Sequence, residues 1–452
     1  YEEYKGTVKS NDSLKVKFYA DYAYRTDYEV YQSEFAVNSI SQTMQTGGGG
    51  TLKKNHEINV LMTYRNLKND VGPTPLPNEN NVTGRIDWNM SMFKRHIRSE
   101  VTMTTSTGRE LKQQYVFQAV GSGLGNYVWV DTNGDGIQQL NEFVEKKLNA
   151  PTEYIKVFLP TDQYIKAYSN TYNHRLDITA PRAWKESKSL VKKIGSRLSN
   201  ISLWTVNKKI TSEDFANRFL PFNQNIAESD LLSLQQVIRS TFFYNRSNPV
   251  YGVEGSILLN NSKTFLNQGF EKKDQHEWNV AARYNASSYA ALRLTGTNGL
   301  KSTFSDFLAT RNYEISYLQL KPEISFQPKN TVRFSILGGC TFKRNVFEGG
   351  SGEKVELYDG GFELKLNKLS QRNITSTIKY IRIDADFKDT PLSSPLGYEM
   401  LDALLPGNNF TWNISWQEKL ANGLQFSFSY EGRKSDGSKA VHIGRMQLSA
   451  LF

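Results

Sequence analysis

The chain has 452 residues, a formal net charge of +10 and one cysteine, Cys340, so an intrachain disulfide is excluded. Its mean hydropathy is -0.54 and no apolar run approaches the ~18 residues of a membrane-spanning helix. A protein that crosses a membrane with strands passes unseen through such a test, because half of each strand is polar.

Taken in chain order, the first run of strict alternation is Leu14 to Tyr28, with Lys15, Lys17, Asp21, Arg25 and Asp27 on one face. Successive side chains of a strand point to opposite faces, so such a run has one apolar and one charged face. Residues Thr46 to Gly50 lack the lysine and helix of a phosphate-cradling loop and are expected to form a flexible loop. Alternation resumes in Ile58 to Tyr64, Ile86 to Met92 and Ile97 to Met103, where Arg85 with Asp87 and Arg98 with Glu100 share the polar face. Between them, Asn66 to Thr83 carries three prolines and reads as a linker, whereas Met92 to His96 leaves room only for a tight turn.

The sharpest chemical motif follows. Asp131-Thr132-Asn133-Gly134-Asp135-Gly136-Ile137-Gln138-Gln139-Leu140-Asn141-Glu142 matches a twelve-residue EF-hand-like loop. Its liganding positions fall on Asp131, Asn133, Asp135, the carbonyl of Ile137, Gln139 and Glu142, and Gly136 takes the sharp turn. The expected cofactor is Ca2+, a hard cation that takes six to eight oxygens. Gln138 stands where an apolar residue is usual, and the preceding Tyr127-Val128-Trp129-Val130 reads as a strand rather than a helix. The site is therefore a solitary structural loop, not a sensor pair. The alternative is an Asn- and Gly-rich turn that binds nothing, a reading in which Glu142 has no role.

Trp184 to Ile201 has helical spacing with a basic polar face of Lys185, Lys188, Lys192, Lys193 and Arg197. It reads either as a helix on lipid head groups or a partner, or as a solvated helix packed under or inside a barrel of such strands. Strand alternation returns at Trp278 to Ala286, Val332 to Phe342, Phe362 to Leu366, Asn409 to Trp416 and Leu424 to Glu431, and then from Gly444 to the carboxyl terminus. The whole chain holds roughly sixteen such candidates, several reaching the ~9–11 residues a tilted strand needs to cross a bilayer. This predicts an all-β fold, a transmembrane antiparallel β-barrel of roughly 14–18 strands carrying the calcium loop as an insertion. The expected parts of this one barrel are residues 1–120, the insertion 121–171 and residues 172–452.

Counted back from a periplasmic carboxyl terminus, Asp386 to Asn408, Arg344 to Glu353 and Asn260 to Gln275 fall outside. The Asn422-Gly423 hairpin and the turns near residues 368–372, 327–330 and 246–249 fall inside, which is the outer-membrane arrangement. Upstream, the count reverses: the tight turn at Met92 to His96 falls outside and the proline linker inside. Either a strand is hidden near Glu153 to Leu159 or the amino-terminal half pairs otherwise.

An aromatic terminal residue, Phe452, closing an alternating strand resembles the membrane-assembly signal of bacterial outer-membrane barrels. The block Tyr127 to Asp131, Asn133 to Phe143 and Tyr154-Ile155-Lys156-Val157-Phe158, with the later Phe242 to Pro249, resembles a family of long outer-membrane proteins from Bacteroidota. There it lies in the carboxyl-terminal part of a much longer chain. The resemblance implies the bacterial outer membrane as location, and it carries no enzymatic residues. None of the five histidines sits in a nucleophile or metal-ligand context. The expected function is a non-enzymatic transport, assembly or secretion component within a larger complex, in contact with outer-membrane lipid and with other outer-membrane or periplasmic subunits, and not with nucleic acid. Two readings stay open: a calcium-dependent glycan-binding β-sandwich and, more distantly, an outer-membrane hydrolase.

Overall fold

The computed structural model describes the chain except residues 12, 53–54, 70, 72–77, 121–126, 132–135, 146–152, 222, 224–225, 267–268, 307–310, 369–370, 388–389, 421–423 and 451–452. The described residues hold 21 strands of one sheet. In order they are β1 (Glu2–Lys9), β2 (Val16–Tyr31), β3 (Glu34–Leu52), β4 (His56–Lys68), β5 (Glu79–Met92), β6 (Ile97–Ala119), β7 (Tyr127–Trp129), β8 (Phe143–Glu145), β9 (Tyr154–Thr179), β10 (Leu198–Ile210) and β11 (Leu231–Tyr244). There follow β12 (Tyr251–Leu266), β13 (Gly269–Asn285), β14 (Ala290–Ser305), β15 (Tyr313–Lys329), β16 (Val332–Asn345), β17 (Lys354–Lys368), β18 (Arg372–Asp386), β19 (Gly407–Lys419), β20 (Leu424–Ser435) and β21 (Val441–Ala450). Helices are few and short: α1 (Leu190–Gly195), α2 (Phe215–Phe219) and α3 (Pro395–Met400). The count exceeds the expected 14–18, because β7 and β8 belong to the insertion and some of the other strands lack clean alternation.

Two compact units are formed. One comprises Tyr1–Pro181, Asn200–Arg239 and Asn260–Lys272, the other Arg182–Ser199, Ser240–Leu259 and Lys273–Phe452. In the first, β1 to β6 pair antiparallel in sequence, and β6 then pairs with β9 along nearly its whole length. The stretch 154–159 is thus strand, the first part of the 26-residue β9. With that pairing the tight connections at 53–55 and 93–96 lie at one end of the ladder, and the long ones at 69–78 and 120–153 at the other. The reversal found in the sequence count disappears.

Three expectations are corrected. Residues 47–50 are not a loop but part of β3, opposite Val16 to Tyr19 of β2 and Ile58 to Leu61 of β4. Glycine is needed there: a Cβ at Gly47 would lie 2.7 Å from the Tyr19 ring. Residues 260–275 are not an outer loop, since β12 and β13 extend through them to a connection at 267–268. The basic helix is shorter than its periodicity suggested, and Leu198 and Ile201 already belong to β10.

In the second unit, β14 to β21 form an uninterrupted antiparallel meander. Its register sets Leu292, Ile324, Ile336, Phe362, Ile378 and Trp412 directly opposite one another across β14 to β19. The first five are 44 to 68% exposed. One residue along, Arg293, Glu323, Lys379 and Thr411 point to the other face. The core of this unit lies on that second, polar face, at the end of the ladder where the connections are long.

Candidate functional site

The 387–406 connection between β18 and β19 folds back over the polar face of its own unit. Ser394 caps α3, its hydroxyl oxygen accepting from the Gly397 amide at 3.0 Å, and Pro395 occupies the first helical turn where its missing N–H costs nothing. The helix delivers Leu396, Met400 and Leu401 onto Tyr313 and Ile315 of β15, Val355 and Leu357 of β17 and Ile383 of β18. Met400 is 0% and Leu401 1% exposed. Burial of such side chains contributes ~1.5–3 kcal/mol each.

Polar groups fix the rim of this patch. Lys343 donates to the Glu399 carbonyl at 3.1 Å and pairs with Asp402 at 2.6 Å, while Lys301 pairs with the Glu399 carboxylate. Arg433 donates to the Ala403 carbonyl at 2.8 Å. Asn409, fully buried, donates its amide to the Leu405 carbonyl at 2.8 Å and so closes the loop where β19 begins. A second clasp joins two connections at this end: Glu353, 1% exposed, accepts from Asn345 at 2.8 Å and from the Thr390 hydroxyl. Burial raises the Glu353 pKa, but these hydrogen bonds outweigh it and hold the carboxyl below its ordinary range.

Further along the same face the charges are paired: Arg333 with Glu323 at 2.6 Å and Lys365 with Glu363 at 2.7 Å. The first unit repeats the device within single strands, as Arg25 with Asp27 and Arg85 with Asp87 at 2.7 Å, and Arg175 with Asp177 at 3.1 Å. Residues two apart share a face, so each pair neutralises its own strand. A connection also meets the polar groups of this unit. Lys208 of β10, 2% exposed, donates to the Leu220 carbonyl at 2.9 Å, and Tyr168 donates to Glu213 at 3.1 Å under the Arg218 guanidinium.

The calcium-type motif is only partly within the described residues, since Asn133 and Asp135 lie outside them. Asp131 accepts from the Gly136 amide at 2.9 Å, and Gly136 takes a positive φ of 71°, as the sharp turn requires. Gln139 caps a single turn of 3-10 helix that ends at Glu142, and the side chain of Ile137 is exposed. Glu142 is 1% exposed and accepts from the Trp129 indole at 2.9 Å and the Gln139 amide at 3.3 Å. The carboxylate therefore has a structural role even as a plain turn, which the sequence did not suggest. Behind the loop, Phe143 stacks on Phe117 at 4.1 Å and meets Tyr154 edge-on at 5.0 Å, anchoring β8 to the long β6–β9 hairpin.

The terminal Phe452 and the Asn422-Gly423 turn lie outside the described residues. Ser99 and His174 are 3.0 Å apart, but they share the face of Val101, Met103 and Tyr172, and the contact satisfies two polar groups on the apolar side. Sequence reasoning missed the folded-back 387–406 segment. Its available signal was Ser394-Pro395 followed by Leu396, Met400 and Leu401 at helical spacing.

No protein-family model and no curated protein matches the chain. Among solved structures it is similar to the ferric-catecholate import receptor Fiu of E. coli K12, with 9% identity over 99% of this chain and 72% of the other, at a TM-score of 0.39. It is also similar to the copper transporter OprC (9% identity, 96% of this chain, 67% of the other, TM-score 0.40) and to the siderophore receptor PiuA of Acinetobacter baumannii (9%, 98%, 72%, 0.39). At these scores the likenesses carry no weight of their own beside the exposed apolar row and the paired polar face.

Proposed function

We propose that the chain forms the wall of a bacterial outer-membrane β-barrel and acts, without enzymatic chemistry, in transport, assembly or secretion as a subunit of a larger complex. The observation that carries this reading is the row Leu292, Ile324, Ile336, Phe362 and Ile378, large apolar side chains left exposed side by side on five consecutive strands. Leaving them in water would forgo ~1.5–3 kcal/mol each, which contact with lipid restores. A glycan-binding sandwich would need this face as its buried core. The opposite face, with its paired charges, suits a wet interior, and the 387–406 segment packs on that face within its own unit.

Within that reading the Asp131–Glu142 loop takes Ca2+ through Asp131, Asn133, Asp135, the Ile137 carbonyl, Gln139 and Glu142. The donors are hard oxygens, and the Gly136 turn with its amide on Asp131 fits such a loop. The test of the first reading is reconstitution. Purified chain in lipid should show heat-modifiable gel mobility and need detergent for solubility. A monodisperse, detergent-free protein would refute it.

A further inference from the structure

We infer that the β9–β10 connection is a membrane-surface anchor that binds anionic phospholipid head groups at the short-turn end of the strands. This rests on the reading of the chain as an outer-membrane wall. Residues 182–197 carry Arg182, Lys185, Lys188, Lys192, Lys193 and Arg197 against the single acid Glu186, a net +5 (6 − 1) in a chain whose total is +10. All six cations are exposed. Amid them α1 presents Leu190, Val191 and Ile194, which are 72, 78 and 47% exposed. A helix packed under or inside a barrel would have these three residues covered, and here they are exposed.

The segment is held in place. Trp184 lies over the helix, so that a Cβ at Gly195 would meet its ring at 3.1 Å. Arg197 donates to the hydroxyls of Tyr244 and Tyr251 at 3.3 and 3.4 Å, and its carbonyl accepts from the Asn245 amide at 3.0 Å. Those contacts set the helix beside the tight β11–β12 turn, within the same compact unit. The apolar surface is continuous there: Leu198, Phe242, Tyr251 and Val253, at the adjoining ends of β10, β11 and β12, are 38 to 54% exposed. Exposed apolar side chains that run into a lipid-facing surface, set among lysines, fit a helix lying in the head-group layer, where anionic lipid attracts each basic residue. A protein partner would need acidic groups opposite the same lysines, and the continuity with the strand surface favours lipid.

The test uses the whole chain with Cys340→Ser, reconstituted in nanodiscs of phosphatidylcholine alone or with phosphatidylglycerol. An environment-sensitive fluorophore is placed at Val191→Cys or, separately, at Ile336→Cys. The Val191 probe should shift to the blue and be quenched by doxyl-labelled lipid in the phosphatidylglycerol discs, and lose most of that quenching in high salt, in phosphatidylcholine, or with Lys188→Glu, Lys192→Glu and Lys193→Glu combined. Quenching at Ile336 but not at Val191 in either lipid overturns the anchor and leaves the wall intact. Quenching at neither position overturns both. A Val191 probe shielded only after addition of outer-membrane extract, without doxyl quenching, overturns the lipid assignment in favour of a protein.

Discussion

Two long connections, one in each compact unit, are built by opposite means. The 387–406 connection is fastened by apolar side chains, with Leu396, Met400 and Leu401 buried on the wall of its own unit. The 120–153 connection keeps Ile137 and Leu140 exposed, 64 and 52%, and is organised by carboxylates, a glycine turn and an aromatic stack at its root. An apolar fastening is complete in the chain itself. In the reading proposed above, the second is completed by a calcium ion, which would offset the repulsion among the carboxylates that the motif gathers in one short loop.

The difference can be broken from either side. Met400→Ala should have the largest effect, since truncating a fully buried methionine costs ~2–5 kcal/mol. It should open the 387–406 segment to protease while leaving residues 120–153 unchanged. Equal cleavage of wild type and variant would mean that the segment is not docked in solution. Calcium removal should do the reverse. At a hundredfold excess over Kd the ion contributes about 2.7 kcal/mol, so chelator should speed cleavage between residues 121 and 150 and leave 387–406 protected. Asp131→Ala with Glu142→Ala should abolish the response to chelator; a response that persists would place the ion elsewhere.

The Glu353 clasp sharpens the comparison through pH. Its carboxyl is held below the ordinary range, so its stabilisation is complete above the unfolded carboxylate pKa and is lost as pH falls through the folded one. Protease protection of the 346–353 and 387–406 connections should therefore fall together only as the pH drops below the ordinary carboxylate range. Glu353→Gln, at a cost of ~1–3 kcal/mol, should make it independent of pH in that window. Asp402→Asn should show the smallest effect, ~0.2–1 kcal/mol, because Asp402 is 58% exposed and water screens its pair with Lys343. A loss of docking as large as that of Met400→Ala would make charge rather than apolar burial the fastening.

The strands were legible wherever one face is apolar and the other polar, as in Val332 to Phe342, whose register places Phe334, Ile336 and Phe342 on one side. They were illegible where function or packing removes the alternation. The run Gly47 to Gly50 looks like a loop because its side chains have given way to neighbours: the Tyr19 ring at Gly47, the Asn59 side chain at Gly49 and the Lys15 carbonyl at Gly50. The polar face of β15 and β17 turns apolar at Tyr313, Ile315, Val355 and Leu357 because another segment covers it. No periodicity within one strand can announce a partner drawn from dozens of residues further along the chain. The calcium-type motif stands out in the sequence because its spacing is local, whereas the hydrogen bond from Trp129 to Glu142 depends on β7 and β8 lying side by side.

The central claim is that the two faces of these strands meet different surroundings, lipid on one and a wet interior on the other. Neighbouring residues on β18 test it: Ile378, 57% exposed, belongs to the apolar row, and Thr377 points the other way. Arginine at a mid-bilayer lipid-facing position costs ~2–4 kcal/mol. The measurement is the fraction of heat-modifiable, membrane-inserted protein for Ile378→Arg and Thr377→Arg. The account predicts a large loss for Ile378→Arg and near wild-type insertion for Thr377→Arg; equal losses, or the opposite order, would contradict it.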